Sequence, residues 1–69
     1  MSTRLLTFTV YFIPAGYSEV EARDYRATNV DPDAFIAYTV ACLMDSGHDV
    51  CEVVDRDTHR TLWTTSRWN

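Results

Sequence analysis

The sequence predicts a two-layer α+β domain, in which one helix covers one face of a four-stranded antiparallel sheet and the elements follow the order ββαββ. Three observations predict this class. Residues alternate between apolar and polar in the first part of the chain, a capped apolar segment lies in the middle, and two β-type segments around a polar turn follow it. Because 69 residues have room for one core, we expect residues 1–69 to form a single domain.

The first strand is predicted from Arg4 to Ile13, where side chains alternate between an apolar face and a threonine-rich face. The apolar face carries Leu6, Phe8, Val10 and Phe12, and the other face carries Leu5, Thr7, Thr9, Tyr11 and Ile13. The tripeptide Pro14-Ala15-Gly16 then predicts a turn, because proline presets φ and glycine supplies a positive φ.

A second strand is predicted from Tyr17 to Thr28. Its apolar phase shifts between Val20/Ala22 and Tyr25/Ala27. Either a β-bulge absorbs that shift or the strand is shorter than the segment.

A helix is predicted over residues 32–45 because the segment carries start and stop signals. Asp31 is the expected N-cap, Pro32 takes the first helical position, Asp33 complements the positive end of the helix dipole, and Gly47 follows the end. The helix has two apolar stripes, Ile36, Val40, Leu43 and Met44 on one side and Phe35, Tyr38 and Cys42 on another, with Ala34, Ala37 and Ala41 between them. One sheet can bury only one stripe. We expect the second stripe to be covered by the C-terminal WTTSRWN segment with Trp68, by a second copy of the chain, or by a partner.

Two further strands are predicted at Asp49 to Asp55 and Arg60 to Arg67, joined by the turn Arg56-Asp57-Thr58-His59. Histidine tolerates left-handed backbone geometry, so His59 can stand where a hairpin often has glycine. Asp55 and Asp57 could form a metal-binding pair, but an Asx-turn explains them more simply, because aspartate side chains hydrogen-bond their own backbone at hairpin ends.

Two cysteines and two histidines in the same region, Cys42, His48, Cys51 and His59, could suggest a metal or catalytic site. Their spacing, Cys-x5-His-x2-Cys-x7-His, matches none of the short paired spacings that hold zinc. No orienting group or oxyanion hole accompanies them. We therefore expect no catalytic residues, no metal, no cofactor and no enzymatic activity, and we assign these residues to the helix, the strand and the turns.

Composition and charge narrow the possible partners. The chain is 46% hydrophobic and 23% charged, with net charge −4, six arginines and no lysine. This balance is unfavourable for neutralising nucleic-acid phosphates and favours a protein partner with a basic surface. The apolar stretch in MSTRLLTFTVYFIP has no small-residue cleavage site and no run reaches the length of a membrane span, so we expect no membrane association. Two cysteines without a disulfide pattern indicate reduced thiols and a cytoplasmic location.

We predict a partner-binding surface from charge and aromatic content. Acidic residues should steer the chain towards a basic partner, aromatic residues should anchor it, and the second helix stripe should contribute to the contact. The predicted residues are Glu19, Glu21, Asp24, Asp55 and Asp57 for steering, Tyr25, Trp63 and Trp68 as anchors, and Phe35 and Tyr38 from the helix.

An alternative is a single-stranded nucleic-acid-binding or regulatory module, with a homodimer that masks the second helix stripe. Aromatic residues on a sheet can stack bases, and arginines lie on or beside the predicted strands. The aromatic residues are Tyr11, Tyr17, Tyr25, Trp63 and Trp68, and the arginines are Arg4, Arg23, Arg26, Arg60 and Arg67. The negative net charge favours the protein partner over this alternative.

The succession of a strand, a hairpin, a strand ending in RATNVD, a capped helix and the segment VCEVVDRDTHRTLW resembles the small ββαββ proteins encoded by phages and mobile elements, some anti-CRISPR proteins among them. The resemblance is one of organisation and covers most of the chain. It implies a compact inhibitor without enzymatic activity that covers a nucleic-acid-binding or subunit-docking surface of a CRISPR effector in the host cytoplasm. The acidic charge agrees with such a basic target surface.

Overall fold

The computed structural model describes residues 5–65 and has the predicted two-layer ββαββ architecture. The elements are β1 (Leu5–Ile13), β2 (Glu21–Thr28), α1 (Pro32–Asp45), β3 (Asp49–Asp55) and β4 (Thr61–Thr64). The strands form one antiparallel sheet in the order β2-β1-β3-β4. Helix α1 packs on one face of this sheet, so the predicted fold class is confirmed.

Strand β1 is one of the two inner strands of the sheet, and its apolar face provides much of the core. Phe8, Val10 and Phe12 alternate with half-buried residues and are at most 1% exposed. The strand pairs with β2 on one side and with β3 on the other. The alternation read from the sequence therefore corresponds to a strand with one buried face, as expected for an antiparallel sheet covered on one side.

The sequence left open whether the second strand contains a β-bulge or is shorter than its segment, and the structure has the shorter strand. It begins at Glu21, and its pairing with β1 runs without a bulge from Phe12 opposite Glu21 to Leu5 opposite Thr28. The residues before Glu21 form a loop that opens with the predicted turn, in which the Tyr17 amide donates to the Pro14 carbonyl at 3.0 Å. Gly16 supplies the positive φ, at 83°.

Helix α1 has the predicted bounds, and its two ends are formed differently. Asp31 occupies the N-cap position and its carbonyl accepts from the Phe35 amide at 2.9 Å, but its side chain makes no capping hydrogen bond. At the other end, Gly47 has a φ of 89° and donates to the Met44 carbonyl, while the His48 amide donates to the Leu43 carbonyl at 3.1 Å. These two bonds are those of a Schellman motif, which explains why the helix stops before Gly47.

The buried side of α1 differs from the predicted stripe at two positions. Ile36, Val40 and Leu43 are buried, whereas Met44 is 46% exposed. Thr39, a polar residue outside both predicted stripes, is buried, and its hydroxyl donates to the Phe35 carbonyl at 2.8 Å. A threonine can be buried there because the helix backbone itself satisfies its hydroxyl.

Strands β3 and β4 contain the irregularities of the sheet. Strand β3 has its predicted bounds. Strand β4 begins one residue later than predicted and ends at Thr64, so that Thr65 is not part of it, and residues 66–67 of the predicted strand lie outside the described range. Between β1 and β3 the register shifts so that Cys51 is an extra residue, and between β3 and β4 the extra residue is Leu62. The first bulge explains why the consecutive residues Val50 and Cys51 are both buried.

Replacing Phe8 by alanine should destabilise the domain by about 3–5 kcal/mol, because Phe8 is fully buried and the deletion leaves a cavity. Its ring stacks on Tyr25 with centroids 5.4 Å apart and meets Phe35 edge-on at 5.9 Å. Urea denaturation followed by circular dichroism measures the loss, which approaches the whole stability of a domain of this size. The matched control is Tyr38→Ala, an exposed aromatic whose loss should leave the midpoint nearly unchanged. Equal effects of the two changes would contradict the assigned core.

Candidate functional site

The hairpin between β3 and β4 accounts for the acidic and histidine residues at its tip. One carboxylate oxygen of Asp55, Oδ1, accepts from the Asp57 amide at 2.8 Å and from the Thr58 amide at 3.2 Å. His59 has a φ of 60°, and its amide donates to the Asp55 carbonyl at 2.9 Å. The Asx-turn and the left-handed histidine are therefore confirmed. The Asp55 carboxylate, which we predicted to steer a partner, is half-buried and serves the turn.

The four cysteine and histidine residues occupy separate places. Cys42 is exposed on the helix, whereas Cys51 is buried in the sheet, and the two are not bonded to each other. His48 packs on Phe12 with ring centroids 5.3 Å apart, and its Nδ1 accepts from the Ala15 amide at 3.0 Å. Within residues 5–65, no three side chains of the types that bind metals come together.

The backbone at His59 gives a stability test of the turn. Residues without a Cβ adopt a φ of 60° without steric cost, and β-branched residues adopt it least readily. His59→Gly should therefore keep or raise the thermal midpoint, and His59→Val should lower stability by about 1–2 kcal/mol. Thermal denaturation of both variants measures this order. A valine variant as stable as the glycine variant would show that the turn has another conformation.

The five predicted steering carboxylates do not form one patch. Glu19 and Glu21 are exposed at the end of the sheet where β2 begins, and Asp55 and Asp57 belong to the β3–β4 hairpin. Asp24 lies on the sheet face away from the helix, where it accepts from the Thr9 hydroxyl at 2.8 Å and pairs with Arg56 at 3.6 Å. The negative charge is therefore spread over the molecule, and the Asp24 charge is partly neutralised within the chain.

Two of the three predicted anchors are parts of the core edge. Tyr25 is half-buried and stacks on Phe8, and Trp63 lies opposite Val53 and is half-buried against the same cluster. Both side chains lie on the helix side of the sheet, where they extend the core towards its edges. Their assignment as partner anchors stays a prediction, because each side chain is half-buried rather than fully covered. The third predicted anchor, Trp68, lies outside the described residues.

The second helix stripe is divided between the core and the surface. Phe35 is half-buried and meets Phe8 edge-on, so the chain itself covers this residue. Tyr38 is 67% exposed, and Cys42, one turn later, is exposed as well. Among residues 5–65, nothing covers this apolar side of the helix, which is narrower than the sequence suggested, and the expected cover by Trp68 lies outside the described residues.

We call this side the outer helix face, and it consists of exposed residues of α1. These residues are Ala34, Ala37, Tyr38, Ala41, Cys42 and Met44. No charged residue occurs between Asp33 and Asp45, although the solvent side of a helix packed on a sheet usually carries charged residues. The sequence signal for this face was the absence of charge over eleven consecutive positions, 34–44, rather than the identity of any aromatic residue.

Tyr38 remains uncharged at the centre of the outer helix face. The side-chain hydrogen bond with Cys42 raises the pKa of the Tyr38 hydroxyl above its usual value, and the charge of an ionised Cys42 raises it further. The phenol therefore stays protonated at physiological pH. The face consequently presents one polar but neutral hydroxyl among apolar groups.

A shallow cavity of about 200 Å³ lies where the start of α1 approaches the start of β1 and the β3–β4 hairpin. Its lining comprises Leu5, Leu6, Val30, Pro32, Asp33, Ile36, Asp55 and Leu62. Ligand-binding clefts usually begin at about 300 Å³ and bring several polar groups together. This cavity is smaller, and the ionisable groups that residues 5–65 contribute to its lining are the two carboxylates. The outer helix face is therefore the stronger candidate site.

Comparison with models of known protein families, with characterised proteins and with solved structures finds no match for this chain. Within residues 5–65, the structure has no helix with the length and apolar character needed to cross a bilayer.

The two thiols should differ strongly in reactivity, because Cys42 is exposed and Cys51 is buried. We expect one thiol to react with Ellman's reagent in the native protein and the second only after denaturation. The variant Cys42→Ser should lose the fast reaction and keep the slow one. Two thiols that both react fast in the native protein would contradict the burial of Cys51, and two that both react slowly would contradict the exposure of Cys42 on the outer helix face.

Proposed function

We propose that this chain is a small binding protein without enzymatic activity, and that it contacts a protein partner through the outer helix face. The observation that supports this proposal is the uncharged, exposed side of α1, with Tyr38 67% exposed at its centre. Contiguous apolar surface is rarely left bare on soluble proteins. Tyrosine is also enriched among the residues that dominate protein interfaces.

The small side chains of this face favour a close contact. Ala34, Ala37 and Ala41 surround Tyr38 and let another backbone or an apolar side chain approach the helix. Alanine also loses no side-chain entropy when it is covered. The phenol then supplies the single large group that a pocket on the partner can hold.

Charges at the two ends of the face indicate the chemistry of the partner. Asp33 precedes the uncharged segment and Asp45 ends it, and Asp31 and Asp49 add further carboxylates at the same two ends. We infer that the partner offers an apolar groove flanked by basic side chains. Complementary charge would increase the association rate and orient the helix in the groove.

The most concrete form of this proposal is an anti-CRISPR-like inhibitor of phage or mobile-element origin, acting in the host cytoplasm. It follows from the resemblance in organisation and from the need for a basic partner. Such an inhibitor would mask a nucleic-acid-binding or subunit-docking surface of a CRISPR effector. The same helix face would then exclude the nucleic acid or the subunit sterically.

The alternative of a single-stranded nucleic-acid module has less support. Tyr11 is half-buried on the uncovered sheet face, whereas Tyr25 and Trp63 lie on the helix side, and Tyr17 lies in the loop before β2. A stacking platform needs several aromatic residues on one accessible face. Within the described residues, this sheet offers one.

A photo-crosslinking amino acid at position 38 should capture a partner, because it lies at the centre of the outer helix face. The same group at position 64, on β4, is the matched control and should capture nothing. The host lysate and purified CRISPR effectors are the two samples, and gel electrophoresis with mass spectrometry identifies the products. Crosslinking at position 64 alone, or at neither position, would count against the proposal.

Inhibition of purified CRISPR effectors tests the concrete form separately. We expect one effector to lose DNA binding or cleavage at a stoichiometric amount of the chain. Ala37→Arg should abolish this effect while the circular dichroism spectrum stays unchanged, and Thr64→Arg should keep it. Crosslinking at position 38 without inhibition of any effector would retain the binding function and reject the anti-CRISPR role. Tight binding of single-stranded DNA with a steep salt dependence would favour the alternative.

A further inference from the structure

Strand β2 forms an edge of the sheet, and this edge is open to pairing. In the order β2-β1-β3-β4, only β1 lies beside β2 within the described part of the chain. The strand has eight residues and pairs with β1 without a bulge. It contains no proline and no lysine, which are two common means of blocking an edge. Its outward backbone groups can therefore accept another strand.

Regular geometry limits how two copies of β2 can pair. When a twofold axis relates two antiparallel strands, the two residue numbers of every opposing pair add up to the same value. Alternate residues of β2 direct their backbone groups to β1, so only the intervening residues can hydrogen-bond outwards. An outward residue must therefore oppose an outward residue of the other copy. The sum of the two opposing residue numbers must therefore be even. In each such register, one residue of β2 lies directly opposite the same residue of the other copy, and the register is named by this central residue.

Like charges disfavour most of these registers. Centring on Arg23, Asp24 or Arg26 places two identical charges directly opposite each other. A register centred on Glu21 also places two identical charges opposite each other. A register centred on Ala22 pairs only three residues of each β2 strand. Centring on Ala27 or Thr28 likewise pairs three residues or fewer.

The register centred on Tyr25 is complementary. It places Asp24 of each copy opposite Arg26 of the other, so two ion pairs of opposite sign flank the axis. The two Tyr25 side chains meet at the axis, on the helix side of the sheet. Seven residues, 22–28, are paired. Arg26 makes no ion pair among residues 5–65, so its charge is available for this contact.

We propose that two copies of this chain associate through antiparallel pairing of their β2 strands in the register centred on Tyr25. The result is a continuous eight-stranded sheet with a twofold axis perpendicular to it. Both helices lie on the same side of this sheet. Since the outer helix face of each copy points away from the sheet, it stays accessible, and this inference does not depend on the proposed function.

Charge reversal tests the register. The wild-type protein should reach twice the 8.0 kDa mass of one chain in sedimentation equilibrium. Asp24→Arg and Arg26→Asp should each raise the dissociation constant of the dimer at least about tenfold, because two attractive pairs become repulsive. The matched controls Asp57→Arg and Arg60→Asp make the same charge changes in the hairpin and should leave the dimer intact.

Mixing the two variants identifies the partner strand. One variant carries arginine at positions 24 and 26, and the other carries aspartate at both. In the register centred on Tyr25 their heterodimer has only opposite charges facing each other. An equimolar mixture of the two should therefore dimerise although each variant alone is monomeric, and a mixture of the two hairpin controls should gain nothing.

Folding of the variants needs its own control, because Asp24 accepts from Thr9 and pairs with Arg56. Should Asp24→Arg lose the native circular dichroism spectrum, Arg26→Asp is compared with the double variant Asp24→Asn/Arg26→Asp. Asparagine keeps an acceptor for Thr9 and removes the like-charge pair, so the double variant should regain dimer.

A monomeric wild type at the highest concentration that stays in solution would overturn the proposal. A dimer unaffected by either β2 charge reversal would overturn it too. Dimerisation that Ala37→Arg abolishes while the β2 variants retain it would assign the interface to the outer helix face instead. The first two outcomes leave the crosslinking prediction at position 38 unchanged, and in the third the product crosslinked at position 38 would be a second copy of the chain, so failure here is distinguishable from failure of the proposed function.

Discussion

Packing of α1 onto the apolar faces of the two inner strands, β1 and β3, is the interaction on which the rest of the structure depends. Phe8, Val10 and Phe12 are the most buried side chains of β1, and Ile36, Val40 and Leu43 of the helix complete the same cluster. A fourteen-residue helix is about 20 Å long and one helix diameter wide, so it cannot cover four strands. The outer strands must protect the core margins with their own side chains. Tyr25 on β2 and Trp63 on β4 do this, and both are half-buried as a result.

The features that sequence reasoning located correctly are determined by local interactions. The helix bounds follow from Pro32 and Gly47, and the hairpin conformation follows from Asp55 and His59, each through bonds to residues nearby in the chain. The features it missed depend on residues far apart in sequence. Whether Tyr25 is exposed is decided by Phe8, and the bulge at Cys51 exists because β3 must fit its register to β1. No alternation pattern within one segment contains that information.

The apolar character of the outer helix face was predicted from the sequence, but the division of the second stripe into buried and exposed residues was not. The apolar residues around α1 correctly predicted more apolar helix surface than one sheet can cover, and Tyr38 is exposed. This pattern could not separate Phe35 from Tyr38, because both flank the buried side and only the position of Phe8 distinguishes them. The charged residues predicted the site less well, because the predicted steering carboxylates share a residue type but lie far apart in the structure. Asp24 and Asp55 are bonded within the chain, and only the coordinates reveal those partners.

The distribution of the arginines explains why the outer helix face and the β2 edge favour different partners. Of the four arginines in residues 5–65, two belong to β2, and the other two belong to the β3–β4 hairpin region. Strand β2 carries Glu21 and Asp24 beside Arg23 and Arg26, so this edge is locally neutral although the chain has a net charge of −4. A neutral edge with alternating signs can approach an identical edge without net repulsion. The helix, whose only charges are acidic, favours a different and basic partner. The uneven distribution of few cations therefore gives one small domain two surfaces with different preferences, which a single net charge does not reveal.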